Sequence, residues 1–157
     1  MQFEHLIEIN DPLNPLIEPI SRQQLWQGLV LRAESPKLFV PHLDECTVTV
    51  EADGLLRHSR YGKLVVEDRV QFLPQQQIVY LVAAQGEIAA SRLTMTIEEP
   101  AEGRLFVRFV YSDAHSEAED QANAMYDEFR RSAYQEADID TIGIIRDLAQ
   151  QGRLTLC

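Results

Sequence analysis

Arg57 and Asp68 are the residues best placed to do chemistry, because they interrupt strand faces that are otherwise apolar. Their placement follows from two turns. If Asp53-Gly54 is a two-residue hairpin turn, Ala52 faces Leu55, Val50 faces Arg57, Val48 faces Ser59 and Cys46 faces Tyr61. If Gly62-Lys63 is the next such turn, Tyr61 faces Leu64, Ser59 faces Val66 and Arg57 faces Asp68. One side of the three strands then carries Cys46, Val48, Val50, Ala52, Leu55, Tyr61, Leu64, Val66, Val70 and Phe72, broken only by Arg57, Ser59 and Asp68. An arginine and an aspartate on an interior face must pair with each other or with a ligand. Two readings stay open. One is a structural ion pair. In the other, Arg57 anchors a ligand carboxylate, phosphate or carbonyl, Asp68 orients it, and Ser59 and Tyr61 add hydrogen bonds.

His5 lies between Phe3 and Ile7 on another inward face, where it is either a hydrogen-bonded core residue or a general acid or base. His42, His58 and His115 have no spacing that suggests a metal site, and none is expected. Cys46 and Cys157 read as free thiols, Cys46 as a small core residue. Glycine spacing gives no phosphate-binding loop, and no Ser/His/Asp or Cys/His motif stands in a recognisable local context. No catalytic residue and no cofactor are assigned.

The elements that position these residues are legible from periodicity. Phe3, His5, Ile7 and Ile9 alternate with polar residues as in a strand. Pro12, Pro15 and Pro19 make the next segment a surface connection. Ser21 and Gln24 form a capping box for a helix over about 22–34, and Pro36 starts a short second helix ending before Pro41. Breaks at Asp53-Gly54, Gly62-Lys63, Pro74–Gln77, Gln85-Gly86 and Pro100–Gly103 divide Glu45 to Tyr111 into six strands of a meander. A long helix follows, with Ala118, Ala122, Met125, Tyr126, Phe129 and Ala133 as its apolar stripe. Ile142, Ile145 and Ala149 fall out of phase with that stripe. A kink or restart is therefore predicted near Ala137 to Asp140, capped by Asp138 or Asp140, with an end at Gly152.

These elements make an α+β fold in which a seven-stranded curved antiparallel sheet wraps a long C-terminal helix, with two short helices after the first strand. The 157 residues suit a single domain over 1–157. The formal charge of -11 argues against nucleic acid or an anionic membrane surface as partner. The N-terminus lacks a signal peptide's basic and apolar regions, and no apolar run reaches the ~18 residues that span a bilayer. A cytoplasmic protein is expected, with its oligomeric state, monomer or dimer, unassigned.

The run Leu25-Trp26-Gln27-Gly28-Leu29-Val30-Leu31-Arg32-Ala33-Glu34, with Pro36, Phe39-Val40-Pro41 and Cys46, resembles the AtaL-like branch of the SRPBCC superfamily. So do Leu55-Leu56-Arg57, Tyr61-Gly62 and Leu105-Phe106-Val107-Arg108-Phe109-Val110-Tyr111. The resemblance covers nearly the whole chain. It implies the START-like, or birch-pollen-allergen-like, helix-grip fold, and places the helix bearing Trp26 at a pocket mouth. That superfamily holds carriers, polyketide cyclases and aromatases, and other enzymes, so the fold does not fix the function.

Beyond Val66 and Val70, the expected pocket wall comprises Ile78, Tyr80, Val82, Leu93, Met95, Ile97, Leu105, Val107 and Phe109, covered by Met125, Tyr126 and Phe129 of the long helix. The reading adopted is binding of a small apolar or amphipathic molecule in an internal cavity between sheet and helix. The alternative is a polyketide cyclase/aromatase-like enzyme using polar groups in the same cavity, for which His5, Arg57, Asp68 and Tyr61 should converge. A third class, an interaction module, would instead fill the pocket with side chains and expose an apolar patch elsewhere.

Overall fold

A computed structural model describes residues 2–113 and 124–154, with side chains in the second span described from Glu128 onward. The sidedness read from the sequence becomes seven strands: β1 (Gln2–Asn10), β2 (Glu45–Val50), β3 (Gly54–Tyr61), β4 (Leu64–Leu73), β5 (Gln77–Val82), β6 (Ser91–Ala101) and β7 (Arg104–Asp113). All neighbours pair antiparallel in the order β1-β7-β6-β5-β4-β3-β2, so β1 closes one edge and the meander runs to the other. Helix α1 (Arg22–Glu34) and a 3-10 turn (Pro36–Leu38) intervene after β1, and α2 (Ala124–Gln150) follows the sheet. This is the helix-grip α+β arrangement.

Local chemistry sets the element ends. The Ser21 Oγ accepts from the Gln24 backbone at 3.0 Å, and the Gln24 side chain accepts from the Ser21 backbone at 2.9 Å, the reciprocal capping box. The proline-rich connection is clasped shut by Asn10, whose side chain donates to the Ile20 carbonyl and accepts from its amide. Gly152, at φ 68°, closes α2 through the Arg153 amide on the Leu148 carbonyl.

The two tight hairpins behave differently. Tyr61 pairs with Leu64, Ser59 with Val66 and Arg57 with Asp68, the register a Gly62-Lys63 turn requires. The β2–β3 register instead departs from expectation by two residues: Val50 pairs with Leu55, Val48 with Arg57 and Cys46 with Ser59. The turn is longer because Gly54 already belongs to the ladder with β4, opposite Gln71, where a Cβ would lie 1.8 Å from the Val70 carbonyl oxygen. A shift of two preserves faces, so Arg57 still points inward, but Val50 overhangs the end of the edge strand at 80% exposure.

The long helix also departs from expectation. Residues 124 to 150 form one helix without the predicted restart, and Asp138 is not a cap but a mid-helix residue that is 1% exposed. The inward stripe is Tyr134, Asp138, Thr141, Ile142, Ile145 and Leu148, a regular helical period once the aspartate is allowed inside. Phe129 and Ala133 consequently face out, Phe129 at 72% exposure. Where α1 crosses α2, Gly28 admits the Ile145 side chain, whose atoms would lie 2.6 to 3.0 Å from a Cβ there. Among the described residues no helix is long and apolar enough to cross a membrane.

Candidate functional site

Strand alternation places Arg57 and Tyr61 of β3, Tyr80 and Val82 of β5, Leu93 of β6 and Tyr111 of β7 on the concave face. Arg32 of α1 and Tyr134 and Arg130 of α2 meet them there, and together these residues line a cleft of about 370 Å³ between sheet and helix. A broader hollow adjoins it at the strand ends, sharing Val82, Ser91 and Arg92.

Arg57 is satisfied by the protein. Its Nε and Nη2 donate to the two carboxylate oxygens of Asp68 at 2.8 and 2.7 Å, and Nη1 donates to the Ala33 carbonyl at 3.0 Å. That carbonyl is one of the last four of α1, which have no partner within the helix, so the guanidinium also completes the helix C-terminus. Burial opposes the charge on Arg57, but the hydrogen bond and charge of Asp68 outweigh it and hold the group protonated. The geometry is that of the structural ion pair, and it fixes the end of α1 over the sheet.

Tyr80 sits beside this pair. The Arg57 and Arg32 guanidinium carbons lie over its ring, 5.0 and 5.1 Å from the centroid. Tyr80 is 5% exposed, and its hydroxyl is buried without a hydrogen-bond partner among the described residues. The half-buried Arg32 reaches the Thr141 hydroxyl, at 3.4 Å.

A second polar group closes the other end. Asp138 accepts from the Tyr111 hydroxyl on one carboxylate oxygen and meets His5 Nδ1 with the other at 3.3 Å. Tyr111 stacks on Tyr134 with ring centroids 4.0 Å apart. Burial raises the Asp138 carboxyl above the ordinary aspartate range, against the lowering pull of Tyr111, His5 and Arg32. Burial and the Asp138 charge likewise raise the Tyr111 phenol, which stays protonated and donates. Burial also raises Tyr61, at the cleft rim.

A carboxyl that binds its proton more tightly when folded loses stability as pH rises from about 3.9, the unfolded value, through its folded pKa. Asp138→Asn removes that slope. Urea unfolding at a series of pH values should show the variant gaining on the wild type between pH 4 and 7. A difference independent of pH would mean that burial does not hold the proton on Asp138.

The remaining residues expected at the site are placed as follows. Arg57, Asp68 and Tyr80 come together, and Tyr61 joins them at the rim, whereas His5 lies in the separate Asp138 group. Ser59 is buried and directs its hydroxyl to Cys46 Sγ at 3.5 Å; Val66, opposite it, is half-buried. Val70, Met95 and Phe109, at 1, 0 and 0% exposure, fill the core cluster and do not line the cleft. Trp26 packs edge-on against Phe72, 6.3 Å between centroids, as a core anchor. Phe129 faces away from the cleft, and the side chains of Met125 and Tyr126, like His115 and Cys157, lie outside the described residues. Among the described residues no cluster of three His, Cys, Asp or Glu could hold a metal ion.

Arg32 and Tyr111 were not singled out as site residues by sequence reasoning, and Asp138 was named only as a possible helix cap. The available signal for Arg32 was its position seven residues after Leu25 and three after Leu29, on the apolar stripe of α1.

Residues 7–152 match the family described as AtaL, acetylaranotin biosynthesis cluster protein L. No curated protein matches the chain in sequence. Among solved structures, the di-domain ARO/CYC StfQ from the steffimycin biosynthetic pathway superposes with TM-score 0.68 at 9% identity over 96% of this chain and 51% of that one. This chain thus spans about half the length of that protein. A point mutant of norcoclaurine synthase from Thalictrum flavum, in complex with a transition-state analogue, gives 0.66 at 7% identity over 94% of both chains. The Zhui aromatase/cyclase from Streptomyces sp. R1128 gives 0.58 at 14% identity over 95% of both. At such identities the likeness is one of fold.

Proposed function

Since this chain belongs to the family of AtaL, acetylaranotin biosynthesis cluster protein L, we propose that it binds a small, largely hydrophobic molecule in the cleft between its sheet and α2. The observation that carries the reading is the cleft itself, about 370 Å³ walled by the rings of Tyr61, Tyr80, Tyr111 and Tyr134 with Val82 and Leu93. Aromatic and apolar walls with a few convergent polar groups are what a small-molecule site requires. Structural neighbours named as aromatase/cyclases and norcoclaurine synthase support the same class of ligand.

A second reading, a cyclase-like enzyme, rests on the polar His5–Asp138–Tyr111 group, which Tyr111 brings to the cleft wall. The test is titration with 2-acetylnaphthalene, a neutral bicyclic ketone, followed by calorimetry. Saturable one-to-one binding, weakened about tenfold or more by filling the cleft with Leu93→Trp, supports the site. Absence of binding, or indifference to Leu93→Trp, opposes it. Incubation with a 1,5-diketone, which closes to a cyclohexenone with loss of water, separates the readings: recovery unchanged favours binding alone, and ring closure favours the enzyme.

A further inference from the structure

Arg32 and Tyr80 together leave a demand that the described residues do not meet. A guanidinium carries five donors, yet among the described residues Arg32 meets the Thr141 hydroxyl, at 3.4 Å, and the Tyr80 side chain, with no described carboxylate in an ion pair with it. Arg57, on the same tyrosine ring, is by contrast held by both oxygens of Asp68 and by the Ala33 carbonyl. The Tyr80 hydroxyl, buried at the cleft, also lacks a partner among the described residues. A half-buried cation without a described carboxylate and a buried hydroxyl without a described partner both carry a desolvation penalty that an incoming group would relieve. The group able to accept from both is an oxygen anion. In a chain of formal charge -11, an arginine left without a carboxylate on an interior cleft is a local exception to the overall charge.

We infer that the occupant of the cleft is an aromatic or conjugated acid whose anionic oxygen, a carboxylate, phenolate or enolate, is held by Arg32 and the Tyr80 hydroxyl. The inference rests on the proposed binding cleft and narrows its ligand. Arg32 is the anchor, Arg57 the residue that fixes α1 and hence the anchor's position. The apolar part of the ligand lies toward Leu93, Tyr111 and Tyr134.

The experiment compares 2-naphthoate with the similarly shaped neutral 2-acetylnaphthalene on the full chain by calorimetry. The wild type should bind the acid about tenfold or more tightly than the ketone, as a charge-assisted contact adds to shared ring packing. Arg32→Gln should abolish that preference, weakening the acid about tenfold or more beyond its effect on the ketone. Tyr80→Phe should reduce the preference without loss of thermal stability, since it removes a hydroxyl with no partner. Equal affinities in the wild type, or a preference that survives Arg32→Gln, overturns the inference while the binding cleft stands. Failure of both compounds to bind overturns the two together.

Discussion

Replacing Asp68 by alanine is expected to cost about 3–5 kcal/mol of folding stability, the usual penalty for stranding one member of a buried ion pair. Arg57 would remain, 7% exposed, with its guanidinium bonded only to the Ala33 carbonyl. For a chain of this length the loss corresponds to a fall in Tm of roughly 6 to 20 °C. The cost comes from the uncompensated charge, because a well-made buried pair contributes little over an apolar one. The double variant Arg57→Met, Asp68→Leu should therefore recover a large part of it, and the double-mutant cycle isolates the coupling. Urea unfolding of the four proteins measures it. A loss under 1 kcal/mol for Asp68→Ala would mean that solvent reaches Arg57 and that the pair does not lock α1 to the sheet.

Phe109→Ala should be as severe, about 3–5 kcal/mol. Phe109 is 0% exposed on β7, paired with His5 on β1 and Met95 on β6. Its truncation leaves a void that the central strands cannot close without breaking their ladders. Chemical denaturation should show the midpoint falling with an unchanged slope, the mark of lost packing and not of an altered unfolded state. Loss of less than 1 kcal/mol would show that this part of the core collapses around the deletion. The contrast with Tyr80→Phe separates core from cleft, because the one change removes packing and the other only an unpartnered hydroxyl.

What could be read from the sequence was what depends on near neighbours. Strand alternation and turn residues located all seven strands, and the Arg57–Asp68 pairing followed from one tight turn at Gly62-Lys63. The Asp53-Gly54 turn misled by two residues because Gly54 is committed to β4 by a carbonyl contact that no local pattern records. The burial of Arg32 and Asp138 escaped notice for a common reason. Charged residues are read as outward-facing, and the groups that make their burial tolerable, Tyr80 for one and His5 and Tyr111 for the other, are remote in sequence. In α2 the stripe through Phe129 and Ala133 leads on to Asp140 and so suggests a restart, whereas the inward face runs through Tyr134, Asp138 and Thr141 without one and leaves Phe129 outside. A buried charge therefore distorts the reading of its whole helix as well as its own position.

The most direct test of the binding cleft is a backbone amide NMR titration of the full chain with 2-acetylnaphthalene. The account predicts saturable shifts concentrated at Arg32, Tyr80, Leu93, Tyr111 and Tyr134, which line the cleft from three strands and both helices. Shifts confined to the outer face, for instance around Val65 or Leu73, or none at saturating probe, would contradict it.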